Sequence, residues 1–168
     1  MTCWPSSALP LRSSSVMDLE LGRVSDRKPP FKYSSLTRVG FSDTDAQGIV
    51  YYGRYLPYFD GARVEYHRHL GILERERREH ELVMRANAIE YLAPAHFDDL
   101  VEVFIRVSRI GRTSITYEFA AYRIEDDLLM VTALQTLVLV DLEERRAYPI
   151  PEDLIGKIAA FEGSDLER

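Results

Sequence analysis

Apolar and polar positions change their rhythm along the chain, and the changes mark out the elements. From Phe31 to Phe41 the pattern is short and strand-like, with Tyr33, Leu36, Val39 and Phe41 set among polar residues. It runs into the turn-prone segment Ser42-Asp43-Thr44-Asp45-Ala46-Gln47-Gly48. After Ile49 and Val50 the spacing becomes helical: Tyr55, Phe59, Ala62 and Tyr66 recur at i, i+4, i+7 and i+11, with Leu56 and Leu70 alongside. This predicts one amphipathic helix over 54–70, stopped at Gly71. Pro57 fits its first turn, where the backbone N–H lacks an intrahelical acceptor anyway. A charged run, Glu74 to Glu79, reads as a solvated surface connection.

Four strand-like stretches follow, over 82–92, 100–109, 113–124 and 128–140, separated by Ala93-Pro94, Ile110-Gly111-Arg112 and Glu125-Asp126-Asp127. Succession and short connections predict an antiparallel meander. Pro151 suits the first turn of a short helix reaching about Phe161. The order is strand, long helix, four strands, short helix, so the fold class is α+β, with one helix burying its stripe against a curved five-stranded antiparallel sheet. Such a sheet leaves edges, and pairing them between subunits predicts a homodimer, with a homotetramer as the larger alternative.

With 168 residues, 46% of them apolar, the chain has material for one core. The domain is expected over 31–162, between a disordered tail over 1–30, rich in Ser, Pro and Arg, and a short C-terminal tail over 163–168. The apolar stretch from Ala8 to Leu11 is too short for a signal peptide, and Met17 is an alternative start. A net charge of −6 supplies no global basic field for nucleic acid. No apolar run approaches the roughly 20 residues of a membrane helix. The one cysteine, Cys3, cannot close an intramolecular disulfide, and no Cys/His pair has metal-ligand spacing. A cytoplasmic protein without metal or other cofactor is the expectation.

The densest cluster of unusual residues is FSDTDAQGIVYYGRYLPYFDGARVEY, from Phe41 to Tyr66. Read alone, Asp43 and Asp45 look like turn and cap residues. The whole segment resembles the 4-hydroxybenzoyl-CoA thioesterase and YbgC-like family, in which an aromatic residue leads into D-x-D-x-x-G-I/V-V-Y, then Y-x-x-Y/W-x-D/E and often A-R. Tyr91-Leu92-Ala93-Pro94-Ala95, Phe97-Asp98-Asp99, Ile110-Gly111 with Thr113-Ser114, and Tyr148-Pro149-Ile150-Pro151 extend the resemblance over about residues 32–160. It implies a single hotdog fold and hydrolysis of an acyl-CoA, or an acyl carrier protein thioester, to free acid and thiol.

By the same resemblance Asp45 is the catalytic carboxylate, as nucleophile toward the thioester carbonyl or as general base for water. The backbone N–H of Tyr52, at the helix start, would hold the carbonyl oxygen, with Gly48 letting the loop approach the substrate. Tyr51, Tyr52, Tyr55 and Phe59 are candidate walls of the acyl site, although the same aromatics serve packing. Arg109 and Arg112, beside the Ile110-Gly111 turn, are candidate partners of the CoA phosphates from a neighbouring subunit. Many family members carry His or Asn where this chain has Tyr52 or Gly53, so side-chain help from there is absent. Asp60, three residues before Arg63, is a reserve carboxylate that reads first as half of an ion pair. No histidine is assigned to catalysis: His67 and His69 point to different helix faces, and His80 and His96 are isolated. The readings from other classes are an acyl-thioester binding module without turnover and a β-hydroxyacyl thioester dehydratase, the latter disfavoured by the lack of a histidine near Asp45.

Overall fold

A computed structural model of the chain describes residues 21–73 and 79–167, so most of the Glu74–Glu79 run and residues 1–20 lie outside the described residues. The elements are β1 (Gly22–Val24), β2 (Tyr33–Arg38), α1 (Tyr55–His69), β3 (His80–Tyr91), β4 (Leu100–Ile110), β5 (Ser114–Arg123), β6 (Leu128–Asp141), β7 (Arg146–Ala147) and α2 (Glu152–Glu162). Short 3-10 turns occupy Phe41–Asp43, Tyr52–Arg54 and Gly163–Asp165.

The helical stripe forms as its spacing demands. Tyr55, Phe59, Ala62 and Tyr66 are all buried, and Phe59 packs on Phe119 of β5 with ring centroids 4.8 Å apart. Gly71, at φ +65°, ends the helical path.

The sheet is antiparallel throughout, in the order β1-β2-β4-β5-β6-β3, with β7 alongside the end of β6. It is the hotdog arrangement, with seven strands among the described residues rather than five and a second helix, α2. The predicted four-strand meander is also corrected. Only β4, β5 and β6 run in sequence; β3 pairs along its length with β6 and takes the outer edge. The reason lies in the side chains. β4 is buried on both faces, Val101, Val103, Ile105 and Val107 on one and Glu102 and Phe104 on the other, and needs a central position. β3 carries Arg85, Asn87 and Glu90 on an exposed stretch and tolerates an edge.

Residues 21–30 do not behave as a tail. β1 extends the sheet beyond β2, and the following segment straps the sheet face opposite α1. There Arg23 and Arg27 bind the buried carboxylate of Glu102, Lys28 lies over the Tyr122 ring and Phe31 packs on Phe104. Burial alone would raise the Glu102 carboxyl; donors from Arg23 and Ser34 and the two nearby guanidinium charges outweigh it and hold it below its ordinary value. The polar residues that look unattached in sequence are the partners of an acid on β4. The C-terminal segment is likewise ordered: Glu167 exchanges backbone hydrogen bonds with Ser108 and Ile110 beside β4.

Candidate active site

Between β2 and α1 the chain makes a miniature hairpin. Thr44 pairs with Val50, the Asp45 N–H donates to Ile49 O at 2.9 Å, and Gly48 N–H donates to Asp45 O at 3.0 Å. Gly48 sits at φ +77° with nothing near a Cβ position, so the turn itself, rather than a close neighbour, calls for glycine. Asp45 Oδ1 accepts the Gln47 N–H at 2.8 Å, as in an Asx turn. Its Oδ2 accepts no hydrogen bond from the described residues. The 93–96 stretch holds the hairpin in place, with Val50 N–H donating to Ala95 O at 2.8 Å and Ile49 bridging to His96.

The hairpin delivers the chain to the 3-10 turn Tyr52–Arg54, which leads into α1. In that turn Arg54 N–H reaches Tyr51 O at 2.8 Å and Tyr55 N–H reaches Tyr52 O. The N–H groups of Tyr52 and Gly53 precede the first acceptor the turn can offer, so they are left for another partner, at the positive end of the helix. Gly53 is small because the Tyr51 ring lies against it: a Cβ there would meet the ring at 2.9 Å.

Asp45 and Tyr52 share one open cleft of about 350 Å³, walled by Ile49, Tyr55, Tyr91 and Leu92. Tyr91 on β3 stands over the helix start, its hydroxyl donating to Tyr52 O at 3.2 Å and its ring 5.8 Å from that of Tyr55. The walls are largely apolar. The Asp45 carboxylate, with its spare oxygen, and the helix start at Tyr52 border the cleft together.

Of the other sequence candidates, Tyr51 is exposed and stacks on Tyr52 at 4.3 Å rather than lining the cleft. Phe59 belongs to the core, with no exposure, and packs on Phe119 without lining this cleft. Arg109 and Arg112 flank the β4–β5 hairpin; β4 is eleven residues long, so they stand about 33 Å from the Leu100 end that adjoins the site. A single chain does not bring them to Asp45. Asp60 binds Arg63 at 2.6 Å, and Arg63 also reaches Gln135 Oε1 at 3.2 Å, which gives the pair a packing role away from the cleft. His67 contacts the Tyr117 hydroxyl at 2.9 Å, His80 stacks on Tyr148 at 3.7 Å, and His96 lies beside Asp99. None of them lines the cleft. Among the described residues no cluster of three or more His, Cys, Asp or Glu is placed to hold a metal ion, and no helix is long and apolar enough to cross a membrane.

Sequence reasoning missed the site's best-buried acid. Asp43 is 6% exposed and has both oxygens occupied: Oδ1 by Arg54 Nε at 2.7 Å and by its Nη2, Oδ2 by Gly40 N–H and by the Tyr58 hydroxyl, each at 2.8 Å. Burial would raise its carboxyl, but the donors from Tyr58, Gly40 and Arg54 prevail and hold it below its ordinary value. Tyr58 is pushed up by burial and by the carboxylate it donates to. The one available hint was Arg54 and Tyr58 standing four apart on the helix, on one face.

Residues 39–158 match the model of the thioesterase-like superfamily. The acyl-CoA thioesterase YbgC of Haemophilus influenzae is 33% identical over 125 residues, covering 73% of this chain and 90% of that protein. A thioesterase superfamily structure from Jannaschia matches with a TM-score of 0.73 and 26% identity, over 81% of this chain and 86% of that one. The fold is also that of a 1,4-dihydroxy-2-naphthoyl-CoA thioesterase from Synechocystis, with a TM-score of 0.70 at 21% identity over 75% and 94% of the two chains. The residues matched by the family model include the motif around Asp45, and the chain belongs to the thioesterase-like superfamily.

Proposed function

We propose that this protein is an acyl-CoA thioesterase in which Asp45 is the reacting carboxylate and the Tyr52 and Gly53 N–H groups receive the thioester oxygen. One observation carries the reading: Asp45, with an oxygen unengaged by the described residues, and Tyr52, at the start of the helix, line the same cleft. With the carbonyl oxygen against those N–H groups, negative charge developing there meets fixed dipoles that need no reorganisation. Asp45 then adds to the carbonyl carbon and expels the thiolate, leaving a mixed anhydride that water cleaves. In the alternative route it takes a proton from a water that attacks directly. Either route ends in free acid and thiol. The thiol carrier is CoA, with acyl carrier protein as the second source of the same thioester.

The working unit is a homodimer built on β3. This strand is twelve residues long and lies at the sheet edge, with Val83 and Met84 exposed. Two-fold antiparallel pairing of β3 would set the partner's His80 end beside Tyr91. Ser114 of β5 lies level with Val83 through Val138, so the partner's β4–β5 hairpin, with its copies of the two arginines, would come toward the cleft. That supplies cations for the CoA phosphates that one chain alone does not. Catalysis with no metal or redox group, in a reducing cytoplasm, completes the reading.

The test is a panel of short, long and aromatic acyl-CoAs with free thiol as the readout, run on wild type and Asp45→Asn. Thiol release by wild type and its loss in the variant, by at least a hundredfold, are expected. Tight binding of acyl-CoA with no release by wild type would instead make the domain a binding module.

A further inference from the structure

Resting on Asp45 as the reacting group, we infer that Asp43 is a positioning residue: it sets the separation between the Asp45 carboxylate and the Tyr52 and Gly53 backbone donors. Three observations converge on it. The hairpin that carries Asp45 hangs between residues 43 and 51, and its base is closed by Asp43 itself, whose carbonyl accepts the Tyr51 N–H at 2.9 Å. The Asp43 side chain grips the helix that begins just beyond, through Arg54 in the 3-10 turn and Tyr58 in α1. It also grips the chain entering the loop, through Gly40 N–H. Asp45 follows Asp43 by two residues, and Tyr52 follows Tyr51 by one. Both halves of the reaction centre are therefore referred to a single residue, through its carbonyl and its carboxylate.

A turn residue alone would not need this. Two positions on, Asp45 makes its local turn half-exposed, with one backbone donor. Asp43 is instead buried with a guanidinium and a phenol, and a buried charge is costly unless its geometry is held and its lone pairs are filled. A carboxylate held on both oxygens from different directions has little freedom to shift or rotate. Angstrom-scale misplacement of a reacting group is worth about a hundredfold in rate, so rigidity at this point matters to turnover more than to binding.

The experiment compares wild type, Asp43→Asn, Tyr58→Phe, their combination and Asp45→Asn on the acyl-CoA that wild type turns over fastest, well below every melting midpoint. Circular dichroism first establishes the folded fraction. In folded Asp43→Asn, kcat falls about 10- to 100-fold while KM stays within about threefold. Tyr58→Phe lowers kcat less, about 3- to 10-fold, and adds nothing in the Asp43→Asn background, because both act through one carboxylate. A purely structural Asp43 would lower the melting midpoint and leave kcat per folded molecule unchanged; kcat within twofold of wild type in folded Asp43→Asn overturns the inference. Should Asp43→Asn fail to fold, Tyr58→Phe decides, with unchanged kcat overturning the inference and a selective kcat loss supporting it. An active Asp45→Asn, or a wild type that releases no thiol, overturns the functional reading and this inference with it. An inactive Asp45→Asn beside a fully active Asp43→Asn overturns only the positioning role.

Discussion

Two acids are buried against α1, one near each end, and they begin alike. Asp43 accepts a hydrogen bond from Tyr58 and one from a backbone N–H, that of Gly40. Glu162, at the end of α2, accepts from Tyr66 at 2.6 Å and from the backbone N–H of Val107 at 3.0 Å. The difference is the third partner. Asp43 also has the Arg54 guanidinium on its other oxygen, whereas Glu162 Oε2 is buried with no hydrogen-bond partner among the described residues. Their ionisation accordingly moves in opposite directions. Asp43 lies below the ordinary aspartate value of 3.8, while burial lifts Glu162 above the ordinary glutamate value of 4.5 against the pull of Tyr66, Val107 and the distant cations. At the cleft end the fold holds a charge in place; at the far end burial works against the charged form of an acid packed between α1, α2 and β4.

Removing the side chains should separate the two most widely. Asp43→Ala strands Arg54, Tyr58 and the Gly40 N–H together and is expected to cost about 3 kcal/mol in urea denaturation. Glu162→Gln keeps the shape and the acceptor oxygen while removing the charge, and should shift stability by less than about 1 kcal/mol at neutral pH. Equal losses in the two variants would erase the distinction.

The phenols come next. Tyr58→Phe and Tyr66→Phe each delete one hydrogen bond to an acid and should each cost about 1–2 kcal/mol at pH 7, read as shifts of the urea midpoint at constant slope.

Acidity gives the sharpest contrast in sign. Because the folded-state value of Asp43 is depressed, its contribution is complete above the ordinary carboxyl range and is lost as pH falls from about 3.8 through the lower folded value. Because that of Glu162 is raised, its contribution is complete below 4.5 and is lost as pH rises through the folded value. Urea midpoints measured across pH should therefore show Glu162→Gln matching wild type near pH 4 and gaining on it at higher pH. A wild-type curve parallel to that of the variant throughout would mean that Glu162 ionises as freely in the fold as in water. Smallest of all is the exposed Arg38–Asp98 pair at 3.1 Å; Arg38→Ala should change stability by less than about 0.5 kcal/mol, which supplies a baseline for ion pairs that no core encloses.

How much of this could be read from the sequence depends on the range over which each feature is decided. The α1 stripe was legible because Tyr55, Phe59, Ala62 and Tyr66 meet the core through a helical period that local spacing determines. The Asp45 loop was legible only through its flanks, since an Asx turn looks the same with or without chemistry. The place of β3 was not legible: a two-residue period identifies a strand and its faces but not its neighbours, which here followed from the burial of β4 on both faces. Asp43 caps its turn through the Gly40 N–H, as its type suggests, but its partners Arg54 and Tyr58 were not legible, because closure of the hairpin rather than any repeat brings them to it. The segment over 21–30 looked like a tail because the acid it serves, Glu102, lies 79 residues from Arg23 along the chain.

That strap also bears on where the chain can be cut. Trimming to Phe31, the boundary that composition suggests, would remove β1, a three-residue margin, and leave the six-residue β2 open in its place. It would also strip Arg23 and Arg27 from Glu102. The shortened protein would then offer backbone donors and acceptors on both flanks, β2 on one side and β3 on the other, and could add neighbours in both directions. A preparation that keeps β1 leaves only a three-residue margin on that side, so growth would favour the twelve-residue β3, toward a pair rather than a fibre.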